Sequence, residues 1–518
     1  MSSLKDCVDA LCRALKQAVA RVETLELKPS FKSKIINNND GTYTHSDGAG
    51  VSGVIDLRPS DDGCNALSLG VDHRLFSEDF GYRVARTWQE VINLIAAGED
   101  VLICQELQLD QDTVLDSDRR IRFVRDGAID LNGFDLTLNV MVLNPNDRWI
   151  FKGVVIDETY PARWDGTGSN LIGHFGHSSI RYPSWFGAVA NDDAFNALLP
   201  EREQNNHAIA AAMLSVADAF TGSIDPMVIQ LRQGGYAIHR TVRLDGRKVT
   251  LRGHGNGGAM LAGTSLVAHS TGNVVPFDTS HFITTFKFPD GTTPVVELGY
   301  EYINDILHRD VGMQCGMENI TIRCPQVQQD KPISGIMVEY GLQEICKFSQ
   351  FSVNSYSGYG VGNPEEQHLG HNEGAGNFVF PQLNSVVFEE FYILDPAPFA
   401  LDAIGMSIFG LNFTIRNGTI SHHNGATVQR TAPPMYIGTR QSAIIEGLHI
   451  ESFPSPTALY EGACIAIEDF APGNVNVGAI DFRGTDFKSP SSSLVCKGNC
   501  AARSIISLSH NGMRASRE

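Results

Sequence analysis

Two kinds of hydrophobic pattern divide this chain. In the first segment, Leu4, Val8, Leu11, Leu15, Ala18, Val22 and Leu25 alternate in spacings of four and three. That is a heptad seam, and it predicts a helix over 1–28 able to pair with parallel copies of itself. An amphipathic helix lying on its own body gives the same pattern, because three heptads are close to the minimum for a coiled coil. Beyond it, short β-branched runs dominate. Residues 29–80 are rich in Gly, Asp, Asn and Ser around strand candidates such as VSGVIDL, and read as a small β-rich connector module. From 81 to 180 the order is a helix (TWQEVINLIAAG), a strand (VLICQ), then the strand-like LQLDQDTVL, RIRFVRDG, AIDLNGFDLTLNVMVL and WIFKGVVI. The same order returns with HAIAAAMLSVADAF, MVIQL, GGYAIHRTVRL and KVTLRGHG, which places Val101 and Val228 at equivalent positions. Residues 81–180 thus form an amino-terminal unit of similar coil logic, ahead of a main unit over 181–505 and a tail over 506–518.

Within the main unit, NITIRC, SQFSVNS, NSVVFEEFYIL, NFTIRNGTIS, SAIIEGLHIES, VGAIDFRGTDF and SIISLS recur. With Ile322, Val353, Ile393, Ile420, Ile450, Phe482 and Leu508 as markers, the spacings are 31, 40, 27, 30, 32 and 26 residues. Unequal spacing of similar two-strand bends, as in FTI-RNG-TIS and AII-EG-LHI, predicts solenoid coils with loops of different length. A β-sandwich would instead show hairpin turns every 8–12 residues or so. The stretch 270–317, with its FPDGTT turn, reads as a long insertion. The fold class expected is all-β: a right-handed parallel β-helix with an amino-terminal helix and small amino-terminal domains.

The start of the main unit carries a resemblance. Trp185, Phe186, Gly187 and Ala188, a helix near His207 to Val216, and Gly234-Gly235-Tyr236 form a plug followed by coils. A plug is needed because the last coil of a solenoid exposes strand edges and apolar core. This block resembles the pectate-lyase-like β-helix of phage tailspikes and capsule depolymerases. The resemblance implies a homotrimer, a virion location in the tail after synthesis in a host cytoplasm, and attachment to phage tail or adaptor proteins through the amino-terminal region. It also implies binding, and hydrolysis, of a bacterial surface polysaccharide such as O-antigen or capsule. A non-catalytic receptor-binding spike and a polysaccharide lyase are the rival readings.

Charge narrows the partners. Forty Lys+Arg against fifty-nine Asp+Glu give a net charge of -19, which disfavours nucleic acid. Lys5, Asp6, Asp9, Arg13 and Lys16 interrupt the first apolar runs, so no signal-peptide core or membrane insertion is expected there. Ten cysteines are too sparse for a disulfide framework, and most are expected reduced. No cofactor or metal is expected. Cys496 and Cys500 lack a second ligand pair, and His368, His371 and Glu373 lie in a loop-like EEQHLGHNEG. Gly253 to Gly258 formally matches GxGxxG but lacks a crossover helix, so it reads as a solenoid turn.

Candidate chemistry comes from the coil corners. Alignment of the bends puts Glu389, Glu390, Asn417, Glu446 and Arg483 at comparable corners. Stacked coils lie about 4.8 Å apart, so Glu389 or Glu390 and Glu446 should have backbones roughly 9.6 Å apart, close to the spacing of an inverting glycosidase pair. Glu389, Glu390, Asp395 and Glu446 are the candidate catalytic residues of an endo-glycoside hydrolase. Glu339 (with Glu344 nearby), Tyr392, Asp402, Asn417 and Arg483 are candidate substrate contacts. Phe388, Phe391 and Tyr392 offer either sugar-stacking faces that raise a neighbouring carboxyl's pKa or simply core. A corner Glu also serves as a solvated charge or a rung of a hydrogen-bond ladder. His422 and His423, adjacent on a strand, are further sugar-contact candidates.

Overall fold

The computed structural model describes most of Tyr82–Glu451, broken chiefly at 157–168, 191–198, 216–226, 256–262, 269–275, 279–291, 363–382 and 423–430, together with Cys464–Glu468 and isolated strands on either side. The heptad segment 1–28, Glu339, His368, His371 and Glu373 lie outside the described residues. Among the described residues no helix is long and apolar enough to cross a membrane.

The main unit is a parallel β-helix, wound in the right-handed sense that strand twist imposes on parallel crossovers. Each coil contributes to three faces. The first stacks Val242–Leu244, Thr293–Leu298, Ile333–Val338 and Tyr359–Gly362, and continues into Ile404–Arg416 and Met435–Glu446. Those last two strands bend where their register shifts between Gly410 and Asn412, and so run on into the second face. The second face stacks Met227–Gln230, Val249–Arg252, Gly316–Glu318, Gln343–Ser349 and Asn384–Glu389 before receiving them. The third runs from Gly234–Ala237 through Ile320–Arg323, Ser352–Asn354, Tyr392–Leu394 and Thr419–Ser421 to His449–Glu451.

Thr293–Leu298, inside the stretch read as an insertion, is therefore a rung of the first face. Its residues are buried throughout, so it lacks the alternation that marks a half-exposed strand. The interior is filled by like residues stacked on like. Phe348 lies on Phe388 (centroids 5.0 Å) and Phe351 on Phe391 (5.4 Å), all four buried. The Phe391 ring also closes over Gly418, whose Cβ, if present, would stand 2.3 Å from the ring. Gly418→Ala is expected to cost about 1–3 kcal/mol as an overpacking defect, read as a lower thermal midpoint with the β-sheet spectrum intact.

The amino-terminal unit has the same grammar. Thr87 caps the helix Trp88–Ala96 by accepting from the Glu90 amide (3.2 Å), and Trp88, Val91 and Ile95 face inward. Parallel strands Tyr82–Ala85, Asp100–Ile103, Thr113–Phe123 and Leu136–Leu143 stack on one side, and Glu106–Gln108, Ala128–Asp130 and Phe151–Lys152 on another. Asp100–Ile103 and Met227–Gln230 both follow a helix, but Val101 is buried whereas Val228 is half-buried beside buried Met227 and Ile229. The matched phase of the two copies is thus off by one residue. One apolar cluster runs through both units, with Trp185 and Phe186 joining Phe151 and Phe175.

The helix between the units spans Leu199–Leu214, beginning and ending earlier than its apolar run suggests. Its polar first half works as a cap. Arg202 donates to the carbonyls of Ile238 (3.1 Å) and Ala268 (3.4 Å). Asn205 donates to the Ala237 carbonyl (3.0 Å) and accepts from the Val189 amide (2.8 Å). Asn206 donates to the Arg240 carbonyl (2.9 Å) and accepts from the His239 amide (3.0 Å). Polar side chains are buried here because the end of the coil offers backbone groups that need partners.

Buried Cys315, Cys324, Cys346 and Cys464 are not joined in disulfides, while Cys104 is disulfide-bonded. Gly253 sits at a crowded corner, where a Cβ would stand 2.2 Å from the Asn319 carbonyl oxygen. That is a turn between rungs.

Candidate functional site

Between the second and third faces the chain turns through a single left-handed residue. Asn319, Gln350, Glu390 and Asn417 take φ of 60°, 52°, 54° and 53° there, and Gly447 takes 61°. Asn and Gly accept this conformation readily; Gln and Glu hold it at a cost of about 1 kcal/mol or more. The corner is the place where Glu389, Glu390, Tyr392, Asn417 and Glu446 converge.

Register along the second face sets the charges. Ser349, Glu389, Arg416, Glu446 and Arg483 are successive partners at one position, with Arg252 and Glu318 preceding them on the same column. Arg252 pairs with Glu318, and Glu389 pairs with both Lys347 and Arg416. Arg416 directs Nε as well as Nη2 to Glu389 Oε2, the Nε contact being 2.7 Å. Glu389 and Glu446 are therefore two rungs apart, about 9.6 Å between backbones, with Arg416 between them.

These contacts correct the reading of Glu389 as a carboxyl raised by apolar neighbours. Burial does push its pKa up, but hydrogen bonds and charge from Lys347 and Arg416 outweigh it, and the net shift is down. Phe388 and Phe391 point into the core, so they stack on phenylalanines and not on sugars. A depressed carboxyl stabilises the fold above its unfolded pKa, and that contribution is lost as pH falls through the folded value. Glu389→Gln is expected to cost about 1–2 kcal/mol at neutral pH, discounted because Lys347 and Arg416 are half exposed. Denaturation measured from pH 7 to well below 4 should show the difference between wild type and variant hold near neutrality and shrink only below the ordinary glutamate range, as the wild-type carboxylate takes up its proton.

Glu390 and Glu446 are exposed. Gln350 Nε2 donates to Glu390 Oε2 at 2.9 Å. On the third face Tyr392, Thr419 and His449 form the first column beyond the corner, and Tyr392 is 48% exposed, an aromatic face open to solvent. Asn417 occupies the corner one rung after Glu390. Asp395 does not join this group. It is itself a left-handed corner (φ 49°) at the far end of Tyr392–Leu394, and its amide donates to the Ser421 carbonyl (3.0 Å). Asp402 is exposed in the turn that follows Asp395, before Ile404–Arg416. Arg483 is placed by register alone, opposite Glu446. His422 is buried beside Tyr356 (ring centroids 6.2 Å), a core position unsuited to sugar contact.

Lys347, Arg416, Gln350, Thr419 and His449 were not apparent from the sequence, since their partners lie on neighbouring rungs about 30–40 residues away. Only alignment of several bends at once would bring them out. Among the described residues no group of three or more His, Cys, Asp or Glu is arranged to hold a metal ion.

Neither the family models nor the curated proteins contain a match to this sequence. Among solved structures, ORF18 of Geobacillus virus E2 aligns at 13% identity over 65% of this chain and 60% of that one, with a TM-score of 0.38. This chain thus spans about three fifths of that virus protein's length. The A-module of the mannuronan C-5 epimerase AlgE6 of Azotobacter vinelandii aligns at 12% identity over 65% of this chain and 98% of that one (TM-score 0.28). The receptor-binding protein of bacteriophage Det7, described as a podoviral tailspike in a myovirus, aligns at 10% identity over 79% and 76% (TM-score 0.23).

Proposed function

We propose that the chain is a phage tailspike that binds a bacterial surface polysaccharide and hydrolyses it at the Glu390–Glu446 corner. The observation that carries this reading is a solvent-facing corner with two carboxylates two rungs apart, flanked by an open tyrosine face. Inverting hydrolysis needs carboxyl groups about 6.5–9.5 Å apart, with water between them; Glu390 stands one residue past Glu389, in the column of Asn417 and Gly447, so its backbone lies about 10 Å from that of Glu446, a separation that side chains can close to that span. Glu390, which accepts from Gln350, is placed to take the proton of the attacking water. Glu446 is placed to give a proton to the departing glycosidic oxygen. Glu389 acts as a positioning residue: it draws Arg416 to itself and keeps that charge off Glu446. Tyr392, Asn417 and Arg483 are assigned to hold sugars on either side of the scissile bond, with Asp395 and Asp402 left as outer contacts.

The cap formed by Trp185 to Ala188 and the helix Leu199–Leu214 supports a solenoid of tailspike type. Assembly as a homotrimer, attachment to the phage tail through the amino-terminal region and a place in the virion belong to this proposal. Incubation with purified O-antigen or capsule separates the readings. Hydrolysis yields shortened saturated oligosaccharides with new reducing ends. A lyase yields products absorbing in the ultraviolet. Binding with no shortening leaves a receptor-binding spike, and neither binding nor cleavage removes the polysaccharide reading altogether.

A further inference from the structure

The amino-terminal unit carries a feature that the corner site does not use. Trp149 is 44% exposed in a structure whose other described tryptophans, Trp88 and Trp185, are buried. Its indole is nevertheless fixed. Nε1 donates to the Phe151 carbonyl at 2.6 Å. One side of the ring lies on Gly187, where a Cβ would stand 2.9 Å from Cε2 and 3.0 Å from Cδ2. Gly187 takes φ 99° at the end of the 3-10 turn Pro183–Phe186, so the chain conformation that ends this turn also leaves room for the ring. Lys152 Nζ stands 5.8 Å from the ring centroid, within cation–π range, and pairs with Glu106.

Beside the indole, the strands Glu106–Gln108, Ala128–Asp130 and Phe151–Lys152 bring Gln108, Asp130 and Lys152 into one register column. A rigid aromatic next to stacked donors and acceptors, about 4.8 Å apart, is suited to a pyranose. The apolar C–H face of the sugar lies on the ring, and its hydroxyls meet the polar column. Lys152 is paired with Glu106 and Asp130 leaves one further negative charge in the column, which favours a neutral sugar over a uronic acid. Ordering costs are small, because the ring is already held.

We infer that Trp149, with Glu106, Gln108, Asp130 and Lys152, forms a second saccharide-binding site for a neutral pyranose of the same polysaccharide; this rests on the polysaccharide reading above. The site is distant from the corner. Trp149 precedes the first solenoid strand, Ile180–Arg181, and Glu389 lies five rungs beyond that strand, about 24 Å along the axis. A long glycan engages both sites and gains effective concentration; a short oligosaccharide engages one.

The test uses the full chain as wild type, Trp149→Ala and Trp149→Phe. An array of neutral bacterial O-antigens and capsular polysaccharides first identifies a retained glycan, which is then titrated as intact polymer and as a short oligosaccharide cut from it. Trp149→Ala should weaken binding of the polymer about 10-fold or more, with Trp149→Phe recovering most of it. Wild-type tryptophan emission should shift on addition of the polymer, and the Trp149→Phe emission should not. Equal polymer binding by wild type and Trp149→Ala overturns this site and leaves the proposed function standing. Retention of no glycan by the wild type overturns both. A changed oligomer mass for Trp149→Ala in light scattering overturns the site by making the indole a subunit contact.

Discussion

Glu446→Gln is expected to reduce release of oligosaccharide from the cognate polysaccharide by about 10²–10⁴-fold, the range over which a positioned acid or base contributes to catalysis. Binding of the intact polymer should stay within a few-fold, since the amide keeps the shape of the side chain. Glu390→Gln should lose activity to a similar extent. Glu390→Asn separates the two demands on that position: it loses the carboxylate but suits φ 54° better than glutamate does. The variant should therefore be inactive yet more stable, by a few tenths to about 1 kcal/mol. A merely structural corner residue would gain stability without losing activity. Glu389→Gln should behave differently from both. Its carboxylate is committed to Lys347 and Arg416, so the loss is in stability and in the alkaline limb of the pH–rate profile, which the general acid sets, as a released Arg416 becomes available to Glu446. Full activity in Glu390→Gln and Glu446→Gln together would remove the corner from catalysis.

Much of this architecture was legible from residue type and spacing. Ile322, Val353, Ile393, Ile420 and Ile450 are true register partners along the third face, so the first four marker spacings measure real coils. The last two markers slip. Phe482 and Leu508 stack under Ile445 on the second face, and the true partner of Ile450 is Phe487. Both faces alternate β-branched and polar residues, and only one left-handed residue separates them. VGAIDFRGTDF repeats Asp-Phe on both sides of a corner spaced like its predecessors, so a sequence reading takes the first Phe and crosses to the neighbouring column. The corner residues were recoverable because Glu389, Asn417 and Glu446 stand just before or at comparable bends. Their charge partners were not, because Lys347 meets Glu389 only through register two residues out of step. Asp395 is close to Glu390 in sequence but belongs to the next corner, a strand's length away.

The cap gives the second large effect. The Asn205→Ala, Asn206→Ala double variant is expected to lose about 4 kcal/mol or more. Four backbone groups, the carbonyls of Ala237 and Arg240 and the amides of Val189 and His239, lose their partners together, and a buried unpaired group costs about 1–3 kcal/mol. Both asparagines are at most 5% exposed, so water does not easily replace them. Arg202→Met should cost much less, although it also abandons two carbonyls. Burial holds the guanidinium pKa down to about 10, which corresponds to about 3 kcal/mol spent in keeping the charge there. Methionine removes that expense while filling similar space. For a chain of this size, unfolding half-lives in denaturant are the better measure, since unfolded material aggregates before it refolds. The asparagine variant should unfold faster and bind a hydrophobic dye as the end of the core opens, and Arg202→Met should stay close to wild type. The reverse order would mean that the buried charge, and not the hydrogen-bonded asparagine pair, seals the mouth of the solenoid.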